Sequence, residues 1–369
     1  MDPRTQLARS SGGRRARDFR AGRGVYVWMA PPRKLAVGLL AGCTLLLAAA
    51  PARTAPVAAH PLIGIGDENV ALFSDPRFLA LGITQVRFYV SWDVLSSAYR
   101  NPYRRNVLAS WLADARALGL TPLITFDHSD RHGAGGRLPS VAQYSRAFLA
   151  FHRRYPWVTD FATWNEANYY GEPTAGHPRR VAGYYLALRR DCPSCTILAA
   201  ELLDLDNPRD AVGDVTWARE FIRYAHTQPE YWGLHNYVGA NALSEASVKQ
   251  LLGAVRGNIW LTETGGILAL PHHGRAGFAL TSAHQAAVDS FLLDTLPSLS
   301  PRIQRIYLYE WRSPREHTSW DSALISYTNK PRPAYDVLAD TLDAWGIVPN
   351  CALSELPPAC QSVTADSSS

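Results

Sequence analysis

The stretch "DFATWNEANYYGEP", residues 160 to 173, runs strand-forming positions Phe161 to Trp164 into an abrupt polar tip, Asn165-Glu166. A carboxylate at the end of an apolar strand, with an amide before it and aromatics after it, suits an α/β fold that gathers its chemistry at strand ends. One such tip carries little information, because Asn-Glu after a strand is most often a helix cap or a solvated turn. Its meaning depends on how the other strands end.

Further short apolar runs rich in β-branched and aromatic residues lie on either side. They are "LIGIG" (62–66), "VRFYV" (86–90), "PLITF" (122–126), "TILAA" (196–200), "YWGLH" (231–235), "NIWLT" (258–262) and "IYLYEW" (306–311). Between them the apolar spacing becomes helical. "RRNVLASWLADARALGL" (104–120) places Val107, Leu108, Trp111, Leu112 and Ala115 three and four residues apart. "SVAQYSRAFLAFHRRY", "RRVAGYYLALRRD", "SEASVKQLLGAV" and "SAHQAAVDSFLLDTL" repeat the pattern. Strands alternating with helices predict a single (β/α)8 TIM barrel over residues 60–345. An open doubly wound sheet also alternates, but it usually carries a glycine-rich phosphate loop after its first strand. "GIGDENV" (64–70) is not one. Residues 346–369 read as a short tail with a disordered end.

The chain has 369 residues, 47% hydrophobic and 19% charged, enough for a sizeable core. Its net charge of +5 is unevenly spread. Residues 1–59 hold ten Lys and Arg against Asp2 and Asp18, which leaves the body slightly acidic, with 27 basic and 30 acidic residues. That body has no electrostatic footprint for nucleic acid. In the leader, Arg33-Lys34 precede "LAVGLLAGCTLLLAAA", and small residues come next, up to "APVAAH", the pattern of a cleaved secretory signal peptide. The apolar run is shorter than the roughly 20 residues of a membrane span, so the mature protein is expected to keep none. Met29 opens a complete signal by itself, which leaves the start between Met1 and Met29 open. "LAGC" at 40–43 resembles a bacterial lipoprotein acylation site, but the apolar run continues past Cys43, favouring release over anchoring in the cell envelope.

Export permits disulfides. The cysteines beyond the leader form two close pairs, Cys192 with Cys195 in "DCPSC", and Cys351 with Cys360, and two local disulfides are expected. A four-cysteine zinc site is the rival, disfavoured by the wide spacing of the second pair. His272-His273 and His284 form no metal-ligand pattern and read as surface residues. No metal or organic cofactor is expected.

The remaining strand ends gather polar groups on one face. Strand seven ends in "WLTETGG", giving Glu263; strand two carries Arg87; strand three ends near Asp127-His128. Strand six ends in His235-Asn236-Tyr237 and strand eight in Glu310-Trp311, with Glu310 out of phase and expected to point elsewhere. Two carboxylates across a barrel mouth suit glycosidic cleavage, one protonating the leaving oxygen while the other attacks the anomeric carbon or activates water. Trp164 and Tyr169-Tyr170 predict an aromatic, poorly solvated surround for Glu166. Arg87 and Tyr237 are available to hold Glu263 ionised, and Trp311 is placed to stack on a sugar. Each residue also has a plainer reading. Glu263 could salt-bridge a core arginine, His235 could serve as a core hydrogen-bonding group, and Arg87 needs an anionic partner whatever its role.

"WNEAN" (164–168) and "LTETG" (261–265) resemble the catalytic strand ends of clan A glycoside hydrolases, the retaining barrels that include families 5 and 39. The resemblance covers the whole barrel. It implies Glu166 as acid/base, Glu263 as nucleophile, and Asn165 on the sugar 2-hydroxyl. It further implies Arg87 and Tyr237 in contact with the nucleophile and Trp311 flooring the subsite, with His128 and His235 as looser matches. The proline usual in the motif is replaced by Ala167. The expectation is a secreted, monomeric retaining glycosidase acting on an oligo- or polysaccharide. The rival is a carbohydrate-binding envelope protein that keeps the cleft without the chemistry.

Overall fold

The computed structural model describes residues 60–96, 101–131, 133–205, 207–270, 277–316 and 318–347. The expectations for the leader, Cys43, His272-His273 and the end of the tail fall outside these residues.

The strands are β1 (Leu62–Gly66), β2 (Gln85–Ser91), β3 (Thr121–Asp127), β4 (Asp160–Ala162), β5 (Thr196–Leu203), β6 (Tyr231–His235), β7 (Asn258–Thr264) and β8 (Ile303–Tyr309). They close in sequence order into one barrel, every pair parallel, with β8 returning to β1. The helices are α1 (Pro76–Ala80), α2 (Pro102–Ala117), α3 (Val141–Arg154), α4 (Pro178–Asp191), α5 (Asp214–Ala225), α6 (Tyr237–Asn241), α7 (Ala246–Ala254), α8 (Ser282–Ser290) and α9 (Pro333–Ala344). Helix starts obey local chemistry: Asn101 caps α2 and Ser140 closes a capping box with Gln143 on α3. The spacing of 104–120 places Leu108, Trp111, Leu112 and Ala115 on the buried face of α2.

The main core lies between barrel and helices, where Trp111, Trp217, Phe221 and Trp232 are fully buried. A smaller cluster of Leu123, Ala162, Leu198, Trp260 and Tyr307 fills the barrel interior. Gly64 makes room for it, since a side chain there would meet the Tyr307 ring at 2.4 Å. Beside this plug Arg305 lies 3.7 Å over Trp260 and pairs with Asp160 at 2.6 Å. At the N-terminal face of the barrel, His60 stacks on Trp345 with ring centroids 4.3 Å apart.

Three strands depart from regular pairing, and the departures aim the site. In β5 one extra residue is accommodated between Leu198 and Glu201 against β6. In β7 another is accommodated where Leu234 and His235 pair with Leu261 and Glu263. The pairing of β7 with β8 shifts as well. Side chains alternate faces along a strand, so each extra residue turns the positions after it to the opposite face. Leu198 and Trp260 face inward, and strict alternation would continue through Ala200 and Thr262. The bulges bring Glu201 and Glu263 inward in their place.

The cysteines of "DCPSC" form a disulfide, Cys192–Cys195, in the turn between α4 and β5. It is the one disulfide among the described residues, where two were expected. The second expected bond, Cys351 to Cys360, falls on residues outside that set: Cys351 and Cys360 both lie beyond position 347. No helix among the described residues is long and apolar enough to cross a membrane.

Candidate active site

The C-terminal ends of the strands surround a 660 Å³ cavity. Glu166 reaches it from the irregular segment after β4. That segment stays tied to both neighbouring strands: Asn165 N–H donates to the Phe126 carbonyl at 2.8 Å and Ala167 N–H to the Glu201 carbonyl at 2.9 Å. The same constraints hold Glu166 at φ +40°, in the left-handed region that side-chain-bearing residues seldom occupy. Asn168 fixes the far side, donating to the carbonyls of Leu203 and Val212 and accepting from Leu203 N–H.

Glu263 enters from β7. Arg87 Nη1 donates to its Oε2 at 2.7 Å, and the Tyr237 hydroxyl donates to its Oε1 at 3.2 Å. Tyr237 is the first residue of α6, whose N-terminus is held by Asp204: Val238 N–H and Gly239 N–H donate to that carboxyl at 3.0 and 2.7 Å. Burial raises Asp204 to about 7 despite these bonds. Burial and the charge of Glu263 hold the Tyr237 phenol well above its usual range, so it remains a donor.

Arg87 is wholly buried and fully engaged. Its Nε and Nη2 grip Glu201 at 3.1 and 2.7 Å, and Nη2 also donates to Asn165 Oδ1 at 2.9 Å. Asn165 therefore turns its amide nitrogen away from the arginine. Burial would raise Glu201, but the charge of Arg87 and the bonds from His235 and Arg87 lower it to about 2. Thr125 completes its shell at 2.9 Å.

His235, at the end of β6, joins the carboxyls. Its Nδ1 lies 3.2 Å from Glu166 Oε1 and 3.9 Å from Glu263 Oε2, and its Nε2 lies 3.3 Å from Glu201 Oε2. Burial works against its charge, yet Glu263, Glu166 and Glu201 raise it to about 9, so it is an imidazolium donating from both nitrogens. The 3.3 Å approach of Arg87 Nη2 to His235 Nε2 therefore sets two donors side by side and is not a hydrogen bond.

Strand-end reading thus assembles Arg87, Asn165, Glu166, His235, Tyr237 and Glu263 in one network. Four expectations are corrected. Trp311 floors no subsite: it is 1% exposed, packs edge-on against Phe78 and donates to Asp75. Its neighbourhood results from strand phase, because β8 ends at Tyr309 and the chain leaves the barrel before position 311. Tyr309 and Trp320 are the aromatics from this region that line the cavity. The Trp164 indole likewise faces away from Glu166, stacking on Tyr184 and donating to Glu172. His128 stands outside the main cavity, in a cluster with Glu172 at 2.8 Å and Asp127 at 3.1 Å. His284 is no surface residue: it is half-buried against Phe278 and bonded to the Asn241 carbonyl.

Glu201 went unseen because the strand reading "TILAA" stops one residue short of it. The Asn-Glu at 165–166 had a strand-end signature, whereas Glu201 sits mid-strand behind a bulge. Glu68, just past β1, was also unsigned. Burial and the charge of Asp67 raise it to about 8, and the Tyr309 hydroxyl donates to it at 3.4 Å.

Two groups of side chains have donor atoms close enough to share a cation, Asp127–His128–Glu172 and His152–Cys192–Cys195. In the first, hydrogen bonds to Asp127 and Glu172 raise His128 to about 10, so the imidazole pairs as a cation with the two carboxylates. In the second, the disulfide consumes both thiolates.

No protein-family model matches the chain, and no curated protein matches it. Solved structures match its fold. A family 39 glycoside hydrolase from the gut symbiont Bacteroides cellulosilyticus WH2 is 14% identical, with a TM-score of 0.52 over 77% of this chain and 64% of that one. Thus this chain spans just under two thirds of that enzyme. A family 5 subfamily 18 protein from Streptomyces cattleya, in complex with GlcNAc, is 15% identical, with a TM-score of 0.54 over 81% and 82%. Xylanase 10B from Thermotoga maritima is 12% identical, with a TM-score of 0.56 over 78% and 97%. All three are clan A glycoside hydrolases on a TIM barrel, and the fold of this chain is theirs.

Proposed function

We propose that this chain is a secreted retaining glycoside hydrolase, with Glu166 as acid/base and Glu263 as nucleophile. The observation that carries the reading is one imidazole nitrogen shared by two strand-end carboxyls. The lengths from His235 Nδ1 to Glu166 Oε1 and to Glu263 Oε2, 3.2 and 3.9 Å, together cap the separation of those oxygens. A pair of oxygens held this close is compatible with the retaining range of about 5–5.5 Å, in which no water has to fit between the carboxyls.

In the first step Glu166 gives its proton to the glycosidic oxygen, so the leaving group departs as an alcohol, while a Glu263 oxygen bonds to the anomeric carbon. In the second, Glu166 takes a proton from water, and the resulting hydroxide displaces Glu263. Arg87 and Tyr237 fix the attacking carboxylate, and Asn165 faces the sugar. Arg87 and His235 face Glu201 and Glu263, and pairing of this kind avoids the cost of burying an unpaired ion. Secretion rests on the signal-like leader, and a carbohydrate substrate on the likeness to glycoside hydrolase barrels.

The test is product analysis over a panel of polysaccharides and aryl glycosides, with NMR reporting the anomer first released. Retained configuration is expected. Replacing Glu263 by Ala should lower kcat by roughly 10³–10⁶-fold with an unchanged circular dichroism spectrum. An inverted product, or a Glu263→Ala variant that still turns over, defeats the assignment. Unchanged ligand binding without hydrolysis of any glycan would favour the binding-protein reading.

A further inference from the structure

The cavity wall is divided by chemistry. On the arc from β8 through β1, β2 and β3 to β4, it presents Tyr309, Tyr89, Asp127 and Asn165, all with hydrogen-bonding tips. On the arc over β5, β6 and β7 it presents mainly carbon, from Leu203, Leu205, Val238, Ile267, Leu270 and Phe278, while Tyr169, after β4, and Trp320, after β8, complete the lining. Tyr237 belongs to that second arc, but its hydroxyl is spent on Glu263 and its ring meets Trp320 edge-on at 4.9 Å. Val238 is 39% exposed, and Leu203, Leu205, Leu270 and Phe278 are half-buried, so these carbons face the cavity rather than a packed core. Glu166 and Glu263 rise from β4 and β7, the strands at the two junctions of the arcs.

A sugar ring carries hydroxyls around its rim. Seated on the second arc, they would be stripped of water and offered aliphatic carbon in exchange. The glycone therefore belongs on the first arc, where Asp127 and Asn165 can answer its hydroxyls. The leaving group then extends over the second, beyond the acid that protonates it. Contiguous apolar surface left open in a cleft marks an apolar ligand.

We infer that the leaving-group half of this cleft takes an apolar aglycone, an alkyl or aryl group, in preference to a second sugar. The inference rests on the hydrolase reading and narrows it to glycosides whose sugar is joined to an apolar moiety.

The test uses methyl, octyl and 4-nitrophenyl β-glycosides of glucose, mannose, xylose and N-acetylglucosamine, held below micellar concentration, beside the β-1,4-linked disaccharides of the same sugars. For whichever glycone is cleaved, kcat/KM for the octyl glycoside should exceed that for the methyl glycoside and the disaccharide by about tenfold or more. In Leu205→Asn and Val238→Asn variants, the octyl-to-methyl ratio should fall several-fold. A disaccharide cleaved as well as the octyl glycoside, or a ratio unmoved by both variants, overturns the inference and leaves the hydrolase reading standing. Calorimetry on the Glu263→Gln variant separates the remaining cases. Tighter binding of octyl than methyl glycoside, with no compound hydrolysed by the unaltered protein, supports the apolar subsite and removes the hydrolase reading. No difference in binding and no hydrolysis removes both.

Discussion

At the scale of single residues, Glu201 decides how the site is held. It never reaches the cavity, yet it grips Arg87 through two hydrogen bonds, and Arg87 in turn holds Glu263. Both members of the pair are fully buried. Truncating one partner of such a pair leaves an uncompensated ion, at a cost of about 3–5 kcal/mol. Glu201→Gln keeps the shape and removes the charge, so it should cost about 3 kcal/mol in urea unfolding and lower kcat more than it raises KM. Unchanged stability would mean that Arg87 is adequately paired by Glu263 alone. Sequence reading found Arg87 because an arginine inside an apolar strand demands an anion. It could not say that the principal anion is Glu201, because a glutamate after "TILAA" looks like the first solvated residue of a loop. Trp311 shows the opposite error. A tryptophan at a strand end reads as a platform, but one step of phase turned it into the core.

At the scale of elements, β1 and β6 are legible to the residue, because each is a short apolar run with polar or turn-forming residues close by on both sides. The shorter helices α1 and α6, and α9 near the C-terminus, went unread. A five-residue helix such as α6 shows barely one turn of periodicity, and what starts it is Asp204, on another strand's end. Bulges are similarly silent in a sequence, since the extra residue looks like any other. Their consequence is testable at Gly233 in β6. A side chain there would meet Glu201 Cγ at 2.5 Å, Glu201 Cα at 3.1 Å and Thr262 Oγ1 at 2.8 Å, the two bulged strands on either side. Gly233→Ala should therefore push Glu201 off Arg87, costing about 1–3 kcal/mol and most of the turnover. A variant with native stability and activity would show that the strands yield more readily than this packing allows.

At the scale of the whole molecule, its buried titratable groups set a pH range. His235 rises from 6.5 to about 9 on folding, so its contribution to stability is full below about 6.5 and gone above about 9. Burial raises Glu68, Asp204 and Asp289 as well, to about 8, 7 and 7, and these also lose their contribution as pH rises. Glu201 has the reverse sign. Its folded value lies below the ordinary 4.5, so its contribution is present above 4.5 and lost as pH falls toward 2. Stability should therefore peak on the acid side of neutral. Urea unfolding from pH 3 to 10 checks the curve, and a His235→Gln variant should lack the part of the alkaline decline that lies between about 6.5 and 9. A flat profile across that interval in the unaltered protein would mean that His235 is uncharged when folded. The stack of His60 on Trp345 has a practical consequence of its own. The first and last described elements of the barrel thus meet on the side opposite the carboxyls, so a label or crosslink placed at positions 60 and 345 leaves the mouth untouched.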